Sequence, residues 1–461
     1  MVKLNLFDIQ GFVARGYSFP RACYLLAEIL NYKEGRKFVG RVTERVTSAE
    51  RWEQSKPLST LNIGFTWTGL RKLGLPDATL LSFPVEFYQG MRFRNRILGD
   101  VGKNDPANWE PIWNQDMHVW LAVYAQTEEE LARRSDEMGR LMQETGGARL
   151  IYTQQAGLIC VDGKPTSKEH FGYTDGFGNP DFEGVERDTI PGQGKLMPDG
   201  KWAPLATGEF ILGYPDEARE LPDCPVPYLL GINGTYMAYR KLHQNVASFR
   251  KYLDEKGKQY PGGREKLAAK FVGRWLDGTP VELSPDHPDP DLVGDPARNT
   301  NFTYGHDPDG TRCPLGSHIR RANPRDAFGF NGELINRRRI MRRGLPYGEY
   351  TPDDQPARDE DDHGIIFMAL GASLFRQFEF MQQQWIEYGN DAHLGNDKDP
   401  LVAYHDAGID KFVVQGTADP GNTPFVCGGL PNFVETRGGE YFFLPSLTAL
   451  RLIADGTVDP R

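Results

Sequence analysis

Three short segments of the chain combine residue types that can do chemistry. The first, FGYTDGFGNPDFEG (171–184), sets Asp175 between Gly172 and Gly176. A carboxylate there can act as a proton acceptor, and the flanking glycines let the backbone turn sharply or approach a flat ligand. The plain alternative is an Asx-turn, since Asp and Gly are common turn residues. The second, RCPLGSHIRRANPRD (312–326), carries His318, followed by Arg320 and Arg321. A neutral imidazole can be an axial ligand for haem iron, and nearby guanidiniums can neutralise two propionates. A hydrogen-bonded structural histidine is the competing reading. The third, NRRRIMRRGLPYG (336–348), packs Arg337, Arg338, Arg339, Arg342 and Arg343 into one run. As a strand it places Arg338, Ile340 and Arg342 on one face and Arg339, Met341 and Arg343 on the other. Mixed faces of that kind suit a half-buried strand beside a pocket better than an open basic patch. Elsewhere, ASLFRQFEFMQQQW (372–385) has Leu374, Phe378, Met381 and Trp385 at helical spacing, with Glu379 on the flank. A carboxylate there can accept the second N–H of a ligating histidine, or simply form a surface ion pair.

Other elements must position these residues. KLNLFDIQGFVARG (3–16) alternates enough for a strand, and Gly11 suggests a bulge or close packing. RACYLLAEILNY (21–32) reads as a short helix with Cys23, Leu26, Ile29 and Leu30 on one stripe. Strands are expected at 61–65 and 117–124. A helix follows over TEEELARRSDEMGRLMQE, with Thr127 as its cap and Glu130 three residues on, and then a strand from Arg149. The segment 171–227 is a Gly/Pro-rich connector with one strand, GEFILGY. A second strand-and-helix set begins at Gly234: strand TYMAYR, helix KLHQNVASFRKYLDEK, a polar surface loop over 277–309, a strand over 338–343, GIIFMAL from Gly364, the helix carrying Glu379 and a terminal NFVETRGGEYFFLPSLTALRLI. The expected organisation is residues 1–160 as one α+β unit, 161–232 as connector and 233–461 as a second α+β unit.

Composition narrows the function classes. The chain has 461 residues and a formal net charge of −10, which argues against coating nucleic acid. It lacks an apolar run long enough to span a membrane, and no secretory signal pattern is visible at its start. The five cysteines are scattered without a CxxC, which suits a reducing cytoplasm. Among nine histidines there is no HxxH or HxxxH pair, so a zinc or di-iron site is not expected.

Taken together the segments resemble the dye-decolorizing peroxidases. GYTDG with FGNP resembles that family's GxxDG signature, GSHIRRANPRD its haem-ligand segment and RRIMRRGLPYG its distal arginine segment. Lesser matches, in family order from Leu6 to Leu450, are DIQG, GEFILGYPDE, NGTYMAYRKL, GIIFMALGASLFRQFEFMQQQW and TRGGEYFFLPS. The length resembles the longer bacterial and fungal members. The resemblance implies an α+β fold of two ferredoxin-like halves with antiparallel sheets, with haem b held in the C-terminal half. It implies His318 as proximal iron ligand, Asp175 as distal acid–base, Arg342 as distal cation and Glu379 as the acceptor behind His318. It also implies Ile365 and Phe367 as apolar residues of the distal side. Arg320 is expected among the haem-binding residues.

On this reading the enzyme uses hydrogen peroxide to oxidise bulky dyes and phenolic or other aromatic reductants, with Tyr347 and Tyr350 as candidate electron relays. No nucleic-acid or membrane partner is expected, and self-assembly into a homo-oligomer is left open. The alternative is a protein for haem storage, delivery or disposal, which would need His318 but tolerate loss of Asp175 and Arg342.

Overall fold

The computed structural model describes residues 3–52, 55–185, 189–406, 408–417 and 423–459. Its centre is one antiparallel sheet built from both halves of the chain. The N-terminal strands are β1 (Arg21–Ile29), β2 (Ser59–Phe65), β3 (Val119–Ala125) and β4 (Ala148–Gly157). Those of the C-terminal half are β5 (Thr235–Gln244), β6 (Met341–Arg342), β7 (Leu345–Tyr347), β8 (Gly364–Gly371) and β9 (Val434–Leu444). The order is β6-β8-β5-β9-β2-β3-β1-β4, with β7 also paired to β8. Each half thus repeats the ferredoxin-like order in which its first strand lies between its third and fourth, and the halves join where Phe443 of β9 pairs with Phe65 of β2. At the far ends β7 comes back against β4. There Lys241 lies 4.7 Å from the Tyr347 ring and 3.4 Å from the Tyr152 hydroxyl. The curled sheet encloses Tyr24, Trp120, Tyr239 and Phe442, all fully buried.

Helices pack around this sheet. α1 (Tyr32–Thr43) is capped by Asn31 and α2 (Glu128–Thr145) by Thr127, each side chain accepting from a backbone N–H three residues on. α3 (Val246–Gly257) and α4 (Gly263–Val272) support the second half, α5 (His318–Ala322) carries the candidate ligand, and α6 (Leu447–Asp455) packs on α1 across the two halves.

Several local expectations are corrected. β1 was expected as a helix. It is a strand inside the sheet, paired on one side with β3 and on the other with β4, and a continuous apolar run buried on both faces lacks the alternation that would distinguish it. Residues 3–16 form turns and a short helix, Gly11–Ala14. Gly11 is a close-packing site, since a Cβ there would collide with the Tyr17 hydroxyl and the Ser48 carbonyl. GEFILGY is not a strand: a 3-10 turn, Thr207–Glu209, leads into tight turns whose Phe210, Ile211 and Leu212 are wedged into the core. The 277–309 segment is only partly surface, because Val281, Phe302 and Tyr304 build a small core with Trp275 and Cys313. The helix carrying Glu379 is π-helical over Leu374–Glu379 and Met381–Ile386, a wider coil often found at functional sites. Its buried stripe is the expected Leu374, Phe378, Met381 and Trp385.

Candidate active site

A cavity of about 530 Å³ opens between the C-terminal sheet face, α5, the π-helical segment and the 167–179 loop. This is within the range of roughly 300–1,000 Å³ of ligand pockets. Phe12, Tyr17, Phe19 and Tyr124 of the N-terminal half complete its wall.

His318 begins α5 and lines this cavity. Its Nδ1 lies 2.9 Å from Oδ2 of Asp399. The imidazole is 27% exposed and Asp399 is sealed at 0%. The other Asp399 oxygen accepts from the backbone N–H groups of Leu401 and Val402 at 2.9 and 3.0 Å. Burial would raise the Asp399 pKa, but His318, Arg321 and the Val402 amide more than offset it and hold the carboxyl low and ionised. For His318, burial favours the neutral ring, and Asp399 reverses that and raises its pKa. With Nδ1 committed to the carboxylate, Nε2 is the ring nitrogen left to bind a ligand.

Asp175 and Arg342 line the same cavity. The Asp175 loop is pinned where Thr174 N–H donates to Leu276 O and Asp175 N–H to Ser167 O. Gly176, at φ +100°, makes the turn that an L side chain would strain. Arg342, on β6, donates from Nη1 to Asp175 at 3.0 and 3.3 Å and from Nη2 to Phe177 O at 2.8 Å, while its backbone N–H donates to Asn179 Oδ1. The Asp175 and Arg342 side chains are 50% and 36% exposed, so water entering the cavity reaches both. Burial works to raise the Asp175 pKa. Arg342, the Gly176 N–H and His318 outweigh it and leave the carboxyl below its ordinary value. Ile365 and Phe367, alternate residues of β8, line the cavity, while Ile366 and Met368 on the opposite face are buried in the core.

Two expected residues lie elsewhere. Glu379 is not the acceptor behind His318. It is buried in an ion pair with Arg94, at 2.5 and 2.6 Å, and accepts from the Tyr441 hydroxyl. Arg320 does not line this cavity. It is 3% exposed and donates to the carboxylate and carbonyl of Asp307 and to Cys313 O. Two residues along a helix from His318, it points away from the face that His318 presents. Arg321 is likewise spent on the carbonyls of Trp385, Tyr388 and Asp397.

Besides Arg342, the cavity is lined by Arg240, Arg274, Arg325, Arg339 and Arg343, none of which sequence reasoning assigned to a ligand. Arg339 is buried, its carbonyl accepts from Gln377 Nε2 at 2.7 Å, and its guanidinium makes only a long contact among the described residues, 3.4 Å to Gly178 O. Burial, together with repulsion from Arg325 and Arg342, pushes its pKa down to about 9. Arg274 is lowered to about 10 by burial and by Arg325. Arg339 was visible as the middle residue of the arginine run, but nothing in the pattern told the cavity-facing members from the rest. As for the candidate relays, Tyr347 is buried with no hydrogen-bond partner for its hydroxyl among the described residues, and Tyr350 is half-buried.

Comparison with known proteins identifies the family. Residues 8–150 match the DyP dimeric alpha+beta barrel domain and residues 230–407 the C-terminal region of Dyp-type peroxidases. A multifunctional dye peroxidase from an Amycolatopsis strain is 34% identical, over 96% of this chain and 95% of its own. The chain belongs to the dye-decolorizing peroxidase family. A dye-decolorizing peroxidase of Mycetinis scorodonius is 29% identical over 98% of this chain and 88% of its own. The structure of an ancestral D-type dye-decolorizing peroxidase superposes with a TM-score of 0.83 at 28% identity, covering 98% of this chain and 99% of its own. A family member solved with 2,6-dimethoxyphenol gives 0.81 at 27% identity, covering 98% and 100%. As a dye-decolorizing peroxidase this protein is an enzyme, an oxidoreductase. Among the described residues no helix is long and apolar enough to cross a membrane.

Proposed function

We propose that the cavity holds haem b through His318, and that the enzyme uses hydrogen peroxide to oxidise bulky dyes and phenolic or other aromatic reductants. The observation that carries this reading is that one cavity is lined both by an imidazole backed by a buried carboxylate and by a carboxylate–guanidinium pair. The residues fit the group. His318 has Nε2 to give to iron. Arg339, buried, and Arg325, half-buried, are cations facing the cavity with more donors than partners, which suits two propionates. Ile365, Phe367, Phe378 and Met381 supply apolar contact for a porphyrin.

Haem iron, when bound, supplies the centre at which peroxide is taken up and reduced. Asp175, ionised in the acid range, takes the proton from one peroxide oxygen and returns it to the other, so that water can leave. Arg342 holds Asp175 in its anionic form and presents fixed positive charge where negative charge develops on the departing oxygen. Asp399 keeps the His318 proton on Nδ1 and increases the basicity of Nε2. Dyes too bulky for the cavity give up their electrons at the surface, with Tyr350 as a relay. A haem carrier would have no use for the Asp175–Arg342 pair, which favours the enzyme reading over storage or delivery.

The test is titration of the haem-free protein with haemin, followed by dye oxidation. Wild type is expected to take up one equivalent and oxidise an anthraquinone dye with peroxide, and His318→Ala to bind haem loosely. Tight haem binding by His318→Ala, with wild-type activity, would overturn the proposal.

A further inference from the structure

Asp399 lies in an irregular stretch after the π-helical segment, outside any helix or strand. A buried carboxylate on irregular backbone holds its aim only if the backbone itself is held. Two side chains do this. Arg321, three residues after His318 on α5, donates from Nη2 to Asp397 O at 2.8 Å and from Nε to Trp385 O at 2.7 Å. On the other side, His405 Nε2 lies 2.9 Å from the carbonyl oxygen of Asp399 itself. A carbonyl can only accept, so this nitrogen carries the proton. His405 is buried, and its backbone is fixed by reciprocal bonds with Asn432: His405 N–H to Asn432 Oδ1 at 2.6 Å and Asn432 Nδ2 to His405 O at 3.0 Å. Its Nδ1 faces Asp410 at 3.4 Å.

We propose that His405 is a positioning residue for the reaction: its bond to the Asp399 carbonyl fixes the turn from which the Asp399 carboxylate accepts the His318 N–H. This rests on His318 being the iron ligand. The effect is transmitted by geometry. Without the Nε2–H donor the Asp399 carbonyl loses its tether and the turn keeps only the Asp399 N–H bond to Ile386 O and the carboxylate's bonds to the Leu401 and Val402 amides, so the carboxylate tilts, the His318–Asp399 bond lengthens and the imidazole loses anionic character. A less anionic imidazole stabilises ferric iron less, so the ferric/ferrous midpoint potential rises and haem is held less tightly.

The experiment compares haem-loaded wild type with His405→Leu, His405→Gln and Asp399→Asn. The readouts are midpoint potential and the rate of haem transfer to a scavenging apo-globin. His405→Leu removes the donor and leaves the backbone bonds to Asn432. It is expected to raise the potential in the same direction as Asp399→Asn and to speed haem loss by about tenfold, the lower end of what outer-shell partners of metal ligands are worth. Gln offers an amide N–H near the position of Nε2 and is expected to restore both readouts. In an Asp399→Asn background His405→Leu is expected to add nothing further to the potential, because the two act through one bond.

An unchanged potential and haem-loss rate in His405→Leu, beside a His318→Ala variant that sheds haem, would overturn this inference alone. A full additional shift in the Asp399→Asn background would overturn it too, by showing that the histidine acts through packing. Retention of haem by His318→Ala with an unchanged spectrum would overturn the ligand assignment and this inference with it.

Discussion

His318 and Asp399 stand 81 positions apart in the chain, yet their side chains meet at 2.9 Å. The pair contains an imidazole that opens on the cavity and a carboxylate sealed from solvent. A buried carboxylate that accepts from three donors stays ionised, and it fixes which imidazole nitrogen is free to bind.

Asp399→Asn is therefore expected to raise the midpoint potential of bound haem and weaken its retention, while Glu379→Gln leaves the potential unchanged. Potentiometric titration of the two variants checks this. A shift in Glu379→Gln with none in Asp399→Asn would return the acceptor role to Glu379.

Glu379→Gln has a different expected cost. The Glu379 and Arg94 side chains are both sealed, and removing one charge of a buried pair typically costs about 3–5 kcal/mol. A clear fall in the denaturant midpoint of the haem-free protein is expected, and a change within error would contradict it.

Arg320→Leu breaks the sealed pair with Asp307 and is expected to destabilise the fold by a similar roughly 3–5 kcal/mol, while the folded protein keeps its haem affinity. Arg339→Leu is expected to do the reverse, weakening haem binding with little loss of stability. Haemin titration and thermal unfolding of both variants separate the two roles. Equal haem affinities for Arg339→Leu and wild type would remove Arg339 from the cofactor site.

The pH dependence follows from Asp175. Its carboxyl is held below the ordinary value, so the base form persists as pH falls and is lost only once pH drops through that lowered pKa. Peroxide reactivity should thus extend into the acid range, below the point at which an ordinary aspartate protonates, roughly pH 3.9. Arg342→Leu removes the main group that depresses this pKa. The acid limb of its rate profile is expected to move to higher pH, with a rate loss on the order of 10²–10³ at the optimum. An acid limb that stays in place would show that the limb does not report Asp175.

Asp175 and Arg342 were picked out in the sequence by the resemblance of their segments to the family's, because taken alone a Gly-flanked Asp reads equally as an Asx-turn and an arginine run as a solvated face. His318 was picked out in the same way, since a lone histidine reads equally as a structural one. Asp399 was not, because its role depends on a long irregular stretch folding back, and its neighbours Lys398 and Pro400 read as an ordinary turn. Helical phase placed Glu379 on a flank, but the partner it finds there, Arg94, comes from the other half of the chain. At the level of the fold, α2 followed from its cap and helical spacing, and β3 and β8 lie where apolar runs rich in β-branched and aromatic residues placed strands. β1 did not follow, since burial on both faces erases the alternation that separates strand from helix. The halves share one strand order without a visible sequence repeat, because hydrogen-bond topology fixes strand order while leaving side chains free to diverge.

The central claim is that Asp175 moves the peroxide proton in a site held by His318. Its most direct test is rapid mixing of haem-loaded wild type and Asp175→Asn with one equivalent of hydrogen peroxide, following the Soret band. The account predicts a spectral change within milliseconds in wild type, reversed by an anthraquinone dye, and a change slower by about 10²–10⁴ in Asp175→Asn, whose resting spectrum is that of wild type apart from small shifts. Equal rates in the two proteins would contradict it.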